Sequence, residues 1–151
     1  MSDIKFRTQA VGLNPTKTKV KARNFEIIVD EPQDLGGTNE GANPVEYVLA
    51  AYAGCLNVMG HIIAKEMGFT LKGLNIDLAG SLNPARLFGQ SYEERAGYKA
   101  IEITLKPECD ADDETLDKWQ AAILDRCPVG DNLKNATEVV VDLKKVNSVE
   151  A

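Results

Sequence analysis

Two cysteines in this chain sit where a thiol could do chemistry. Cys127 stands in Arg126-Cys127-Pro128-Val129. Proline disfavours helix at the residue before it and can itself open one, which predicts Cys127 as the N-cap of a short helix running through Leu133. Free N–H groups and the helix dipole at such a position favour a thiolate. Cys55 has the opposite setting, mid-way along an apolar stretch, where burial favours the neutral thiol unless a cation offsets it. The plainer reading for both is that of a small buried hydrophobe. Cys109, in Glu108-Cys109-Asp110, has carboxylates that disfavour a thiolate and reads as a bystander. His61 is the single histidine. At about 100° per residue it lies roughly 120° round a helix from Cys55, so the two do not share a face. Ala51, Tyr52, Met59 and Ile62 do share the Cys55 face, and a substrate meeting Cys55 there should be apolar.

The element that must position Cys55 is Asn43–Met67, NPVEYVLAAYAGCLNVMGHIIAKEM. Asn43 suits an N-cap and Pro44 the first helical position. Glu46, three residues on, can reach back to the cap, and Gly68 is a C′ stop. A helix over 44–67 spans roughly 36 Å. From Tyr47 to Leu56 it carries no charge and no amide on any face, which predicts burial on several sides. Asn57, His61, Lys65 and Glu66 interrupt the run short of the ~18 apolar residues of a membrane span.

Around that helix, alternation predicts strands at Ile4–Val11, Lys17–Ala22 and Phe25–Asp30, with turns at Leu13–Thr16 and Arg23-Asn24. The Gly-rich run Asp34–Ala42 reads as a connector rather than a phosphate cradle, because its spacing fits no nucleotide motif. Further strands are expected at Leu74–Leu82 and at Tyr98–Leu105, the latter closed by Pro107, and a last one at Thr137–Val146. Asp112 caps a helix over 113–126 with Leu116, Trp119, Ile123 and Leu124 as its apolar stripe. Strands in runs rather than alternating with helices mean α+β with antiparallel sheet. A sheet of six strands covers one side of the central helix. A second copy is expected to cover the other, giving a two-fold homodimer with two helices between two sheets.

The 151 residues are most simply one domain, 1–151, with ordinary hydrophobic (44%) and charged (26%) content. A net charge of −6 argues against nucleic acid as a partner. The N-terminal residues have no apolar signal core, so a cytoplasmic, non-membrane protein is expected. An odd count of three cysteines without C-x-x-C fits neither a disulfide framework nor a zinc ribbon. No metal or resident cofactor is expected.

Together, N-P-V-E-Y-V-L-A-A-Y-A-G-C over 43–55 and Cys127-Pro128-Val129 resemble the OsmC/Ohr family of organic hydroperoxide reductases, and the element order agrees over nearly the whole chain. The resemblance implies an α+β, OsmC-like fold, an intertwined homodimer, and active sites at its interface. It implies that Cys55 attacks an apolar alkyl or lipid hydroperoxide and becomes a sulfenic acid. Cys127 then closes a disulfide that a dithiol such as dihydrolipoamide reduces. In the hydroperoxidase branches the motif reads N-P-E, and that glutamate orients an arginine that activates the thiol. Here the matching position is Val45. Glu46, one residue on, lies about 180° round the helix from Cys55, where it caps the helix or faces the partner. Arg23 is the first candidate for the activating arginine, followed by Arg7 and Arg126. The alternative function is a redox-sensing or non-catalytic dimer that binds a small apolar or thiol-containing ligand.

Overall fold

The computed structural model describes residues 1–146. Its element order is β1 (Gln9–Gly12), β2 (Thr18–Ala22), β3 (Phe25–Val29), a 3₁₀ turn (Gln33–Leu35), α1 (Pro44–Met67), β4 (Leu71–Ser81), β5 (Ala100–Cys109), α2 (Asp113–Arg126) and α3 (Pro128–Lys134). This is the α+β, antiparallel architecture expected, but the strands form two sheets. One is β1-β2-β3 and the other β4-β5.

Local chemistry sets the helix ends. The Asn43 side chain accepts from the Glu46 N–H (2.9 Å), and the Glu46 carboxylate accepts from the Asn43 N–H (2.8 Å). This reciprocal box satisfies two donors that the first turn would otherwise leave free. At the other end Gly68 takes φ 80°, and its N–H returns to the last carbonyls of α1. A side chain would strain that left-handed geometry. Asp112 caps α2 by accepting from the Thr115 N–H at 2.8 Å.

The core lies between α1, α2 and β4-β5. Leu56, Ile63, Ala64, Trp119, Ile123 and Cys127 are buried in it, with Leu74, Ile76, Leu78, Ile101, Ile103 and Leu105 of the sheet packed against them. Trp119 lies across α1 and donates its indole N–H to the Gly60 carbonyl at 2.8 Å. Gly60 permits this approach, since a Cβ there would stand 3.1 Å from the Trp119 ring and 2.9 Å from Leu74. By length and composition α1 passes the test for a membrane span. One side of it, however, is taken up by this protein core.

Three expectations need correction. The first strand pairs only over Gln9–Gly12: Gln9 already faces Lys21, and the turn after Ala22 leaves no strand residue opposite Ile4 to Arg7. The strand of the fifth position begins at Ala100, not Tyr98, and continues through Pro107 to Cys109. Proline is tolerated there because β5 has a single neighbour and so is an edge. Thr137–Val146 is not a strand: among the described residues no edge pairs with it, and Val139, Val140, Val141, Leu143 and Val146 are exposed. Within one chain α1 is covered on one side only, as expected. Its buried residues form a single stripe, Tyr52, Leu56, Gly60, Ile63 and Ala64, while Val45, Val48, Val58 and Ile62 are exposed.

Candidate functional site

The two cysteines, separated by 72 residues in sequence, meet. Cys127 Sγ lies 2.7 Å from Cys55 Sγ, within hydrogen-bond reach. A disulfide needs about 2.05 Å, so a small approach of two side chains would close the bond. Cys127 is fully buried and Cys55 partly so. Each sulfur is held by a different element. Cys55 projects from the middle of α1. Cys127 is the N-cap of α3, with its sulfur accepting the Gly130 N–H at 3.3 Å. The cap expected from Cys-Pro thus has a sulfur in the role usually taken by a hydroxyl or carboxylate.

Burial pushes the Cys55 thiol up, and the S–H that Cys55 shares with the Cys127 sulfur adds to this by favouring the neutral form. The Val129 N–H acts in the opposite direction. Among the described residues no lysine or arginine contributes to the charge state of Cys55.

The other expected site residues lie apart from the sulfurs in this chain. Glu46 is held in the capping box at the start of α1. Arg23 occupies the two-residue β2–β3 turn in a left-handed conformation, φ 57°, with its guanidinium 5.0 Å from the Phe25 ring centre. It lines a groove with Phe6, Arg7, Gln9 and Lys21. Arg126, next to Cys127 in sequence, is turned away and bound by two hydrogen bonds to Glu66, at 2.5 and 3.0 Å. His61 is exposed, as its position on the helix requires. Val45 carries no acid; its carbonyl accepts from the Tyr98 hydroxyl at 2.8 Å.

A cavity of about 480 Å³ lies on the Tyr52 side of the pair, walled by Val48, Ile101, Ile103 and Leu133 and also by Arg95, Lys99 and Lys134; neither cysteine lines it. Tyr52 is 6% exposed. It is one of the Cys55-face residues legible from helical spacing, but spacing could not show that its ring tip rests on α3. Asp30 was also missed. It is fully buried at the end of β3, and its carboxylate accepts from the Thr38 hydroxyl (2.6 Å) and from the N–H groups of Glu31, Thr38 and Glu40. The connecting loop after β3 is therefore wrapped round an internal anion, and those N–H groups are already occupied. An acid followed by a Gly-rich run containing threonine was the available signal.

Comparisons with known proteins agree with the fold. The model of the family described as OsmC-like protein matches residues 37–142. No curated protein matches the chain. Among solved structures, an OsmC-like protein from Mycoplasma pneumoniae superposes with a TM-score of 0.77 at 20% identity, covering 89% of this chain and 91% of that one. An organic hydroperoxide resistance protein OsmC from Legionella pneumophila gives 0.64 at 18% identity, with 89% and 92% covered. An organic hydroperoxide resistance protein from Elizabethkingia anophelis, crystallised with thiocyanate, gives 0.66 at 19% identity, with 89% and 91% covered. These low identities speak for the fold and for a divergent member, and with the family match over 37–142 they lead to one statement: the chain belongs to the OsmC-like protein family.

Proposed function

We propose that the protein is a thiol-dependent peroxidase that reduces organic hydroperoxides. The observation that carries this reading is the 2.7 Å separation of Cys55 and Cys127 Sγ, with a cavity of mixed apolar and cationic lining on the Tyr52 side of the pair. The Cys55 thiolate attacks the terminal peroxide oxygen. The S–O bond forms, the O–O bond breaks, and the alkoxide leaves as an alcohol after taking up a proton. Cys127 then attacks the sulfenic acid, releasing water and forming the Cys55–Cys127 disulfide. An external dithiol such as dihydrolipoamide restores both thiols and is itself oxidised to a disulfide.

The reaction needs a thiolate, and among the described residues no cation acts on Cys55, although Arg95, Lys99 and Lys134 line the cavity. The exposed side of α1, the unpaired residues 139–146 and the bare faces of Phe6 and Phe25 support a two-fold homodimer in which these surfaces are covered. In that assembly the activating cation is Arg23 of the partner subunit, a role that its present distance from the sulfurs in its own chain leaves open. Consumption of cumene hydroperoxide with a dithiol tests the proposal. Activity should fall to background in Cys55→Ser, and Cys127→Ser should trap a sulfenic acid detectable by mass. Undiminished turnover by Cys55→Ser would overturn the reading.

A second reading is favoured by Val45 in place of the family's glutamate and by the absence of a cation on Cys55 among the described residues. On it the pair is a redox-sensing or ligand-binding device without turnover. The thiols would then titrate at or above ~8.5 in the assembled protein, and the disulfide would form without catalytic peroxide consumption.

A further inference from the structure

The phenol of Tyr52 has no place in the two-cysteine scheme, yet its setting is unusual. It is 94% buried by residue, since only 6% is exposed. Among the described residues its hydroxyl has no hydrogen-bond partner. Among the described residues no buried side-chain polar atom lacks a partner, so the Tyr52 oxygen is not sealed in the core: the ring is buried while the hydroxyl opens onto accessible space, where a ligand would meet it. Tyr52 faces such a space, for it lines the cavity formed with Val48, Ile101, Ile103 and Leu133.

Its position relative to the sulfurs is narrow. Tyr52 lies one turn before Cys55 on α1 and shares its face. Its tip rests on Gly130, where an added Cβ would stand 2.9 Å from the Tyr52 Oη. The Gly130 N–H in turn donates to Cys127 Sγ. Tyr52 thus connects the cavity, which it lines, through the Gly130 backbone to the two sulfurs. Burial, and after it Cys127 and Cys55, push the phenol up from its ordinary value. At neutral pH it is a donor.

We propose that the Tyr52 hydroxyl is a catalytic hydrogen-bond donor to the peroxide, binding the oxygen that carries the organic group. This rests on the peroxidase reading above. As Cys55 sulfur takes the terminal oxygen and the O–O bond breaks, negative charge develops on the oxygen that departs. A fixed donor aimed there is stronger in the transition state than in the bound hydroperoxide, and so lowers the barrier. The alcohol's proton comes from solvent in exchange for the one lost when Cys55 ionised, so Tyr52 ends the step unchanged. The same contact selects hydroperoxides whose organic group packs on the apolar wall of the cavity while the peroxide reaches past Tyr52 toward Cys55.

Tyr52→Phe keeps the ring against Gly130 and removes only the donor. Stopped-flow oxidation of reduced Cys55 by cumene hydroperoxide should be about 10- to 100-fold slower in this variant, as for loss of a hydrogen bond to a charged oxygen. Alkylation of Cys55 by iodoacetamide, which has no oxygen leaving group, should proceed at the wild-type rate. An unchanged peroxide rate in Tyr52→Phe, with wild type active, overturns the proposal alone. Equal slowing of both reactions also overturns it, because Tyr52 would then act on the thiol. A wild-type protein that does not react with the peroxide overturns the peroxidase reading and this inference with it.

Discussion

The half of the molecule built from α1, α2, α3 and β4-β5 is closed on itself, whereas the β1-β2-β3 sheet is open. In the first, alternating side chains of β5 find a helix beneath them, and Trp119, Leu56 and Ile123 are almost free of solvent. In the second, no strand residue is buried, and Phe25 is 54% exposed. What joins them is local: the Tyr47 hydroxyl donates to the Ile28 carbonyl at 2.7 Å, and the Asp30 loop leads into α1. The sulfurs belong to the closed half and the candidate arginines Arg7 and Arg23 to the open one. The difference teaches that a single chain organises its thiols but not their activation. An apolar sheet with nothing under it has the surface of a half-built core.

The largest test of this contrast is Trp119→Ala. Removing a buried ring should cost about 3–5 kcal/mol in chemical denaturation, and the Gly60 carbonyl would lose its donor. Phe25→Ala, in the open sheet, should change the stability of the isolated chain far less if the contrast is real. Next is Val58→Asp, on the uncovered side of α1, where Val58 is 55% exposed. Sedimentation should show a monomer, and peroxide turnover should drop about tenfold or more, since an opposite charge lowers a neighbouring pKa by one unit or more. A fully active monomer would remove the partner's arginine from the mechanism.

Asp30→Asn probes the hinge between the halves through pH. The Thr38 hydroxyl, followed by the N–H groups of Glu40 and Glu31, outweighs burial and holds the Asp30 carboxyl well below its usual range. A folded-state value below the unfolded one stabilises at neutral pH. That contribution is lost as pH falls below the unfolded value of about 3.9. Wild type should therefore lose more stability than Asp30→Asn between pH 5 and pH 2. The smallest effect is expected for Glu66→Gln. Its pair with Arg126 is about half exposed, and screened surface pairs contribute little, so the denaturation midpoint should stay within measurement error.

Much of the closed half was readable before any coordinates. The bounds of α1 and α2 and the start of α3 agree with expectation because caps are settled within a few residues, by Asn43 with Glu46, by Asp112, and by Cys127-Pro128. The open half was read less well. Ile4–Thr8 and Thr137–Val146 alternate like strands, but a strand forms only where a paired edge exists, and alternation does not say whose edge that is. The site divided in the same way. That Cys55, Cys127, Arg23 and Glu46 deserved attention followed from motif and spacing. That Glu46 is held in a cap and Arg126 on Glu66 did not.

By itself the sequence determined the helix termini, the apolar character of α1 and the two cysteines on offer, since each depends on neighbours within a turn or two. Only the tertiary structure decided that Sγ atoms 72 residues apart lie 2.7 Å from each other, that Tyr52 comes to rest on Gly130, and that one side of α1 stays uncovered. These are contacts between distant segments. They are fixed by how α2 and α3 pack across α1, and local preference carries no information about that packing.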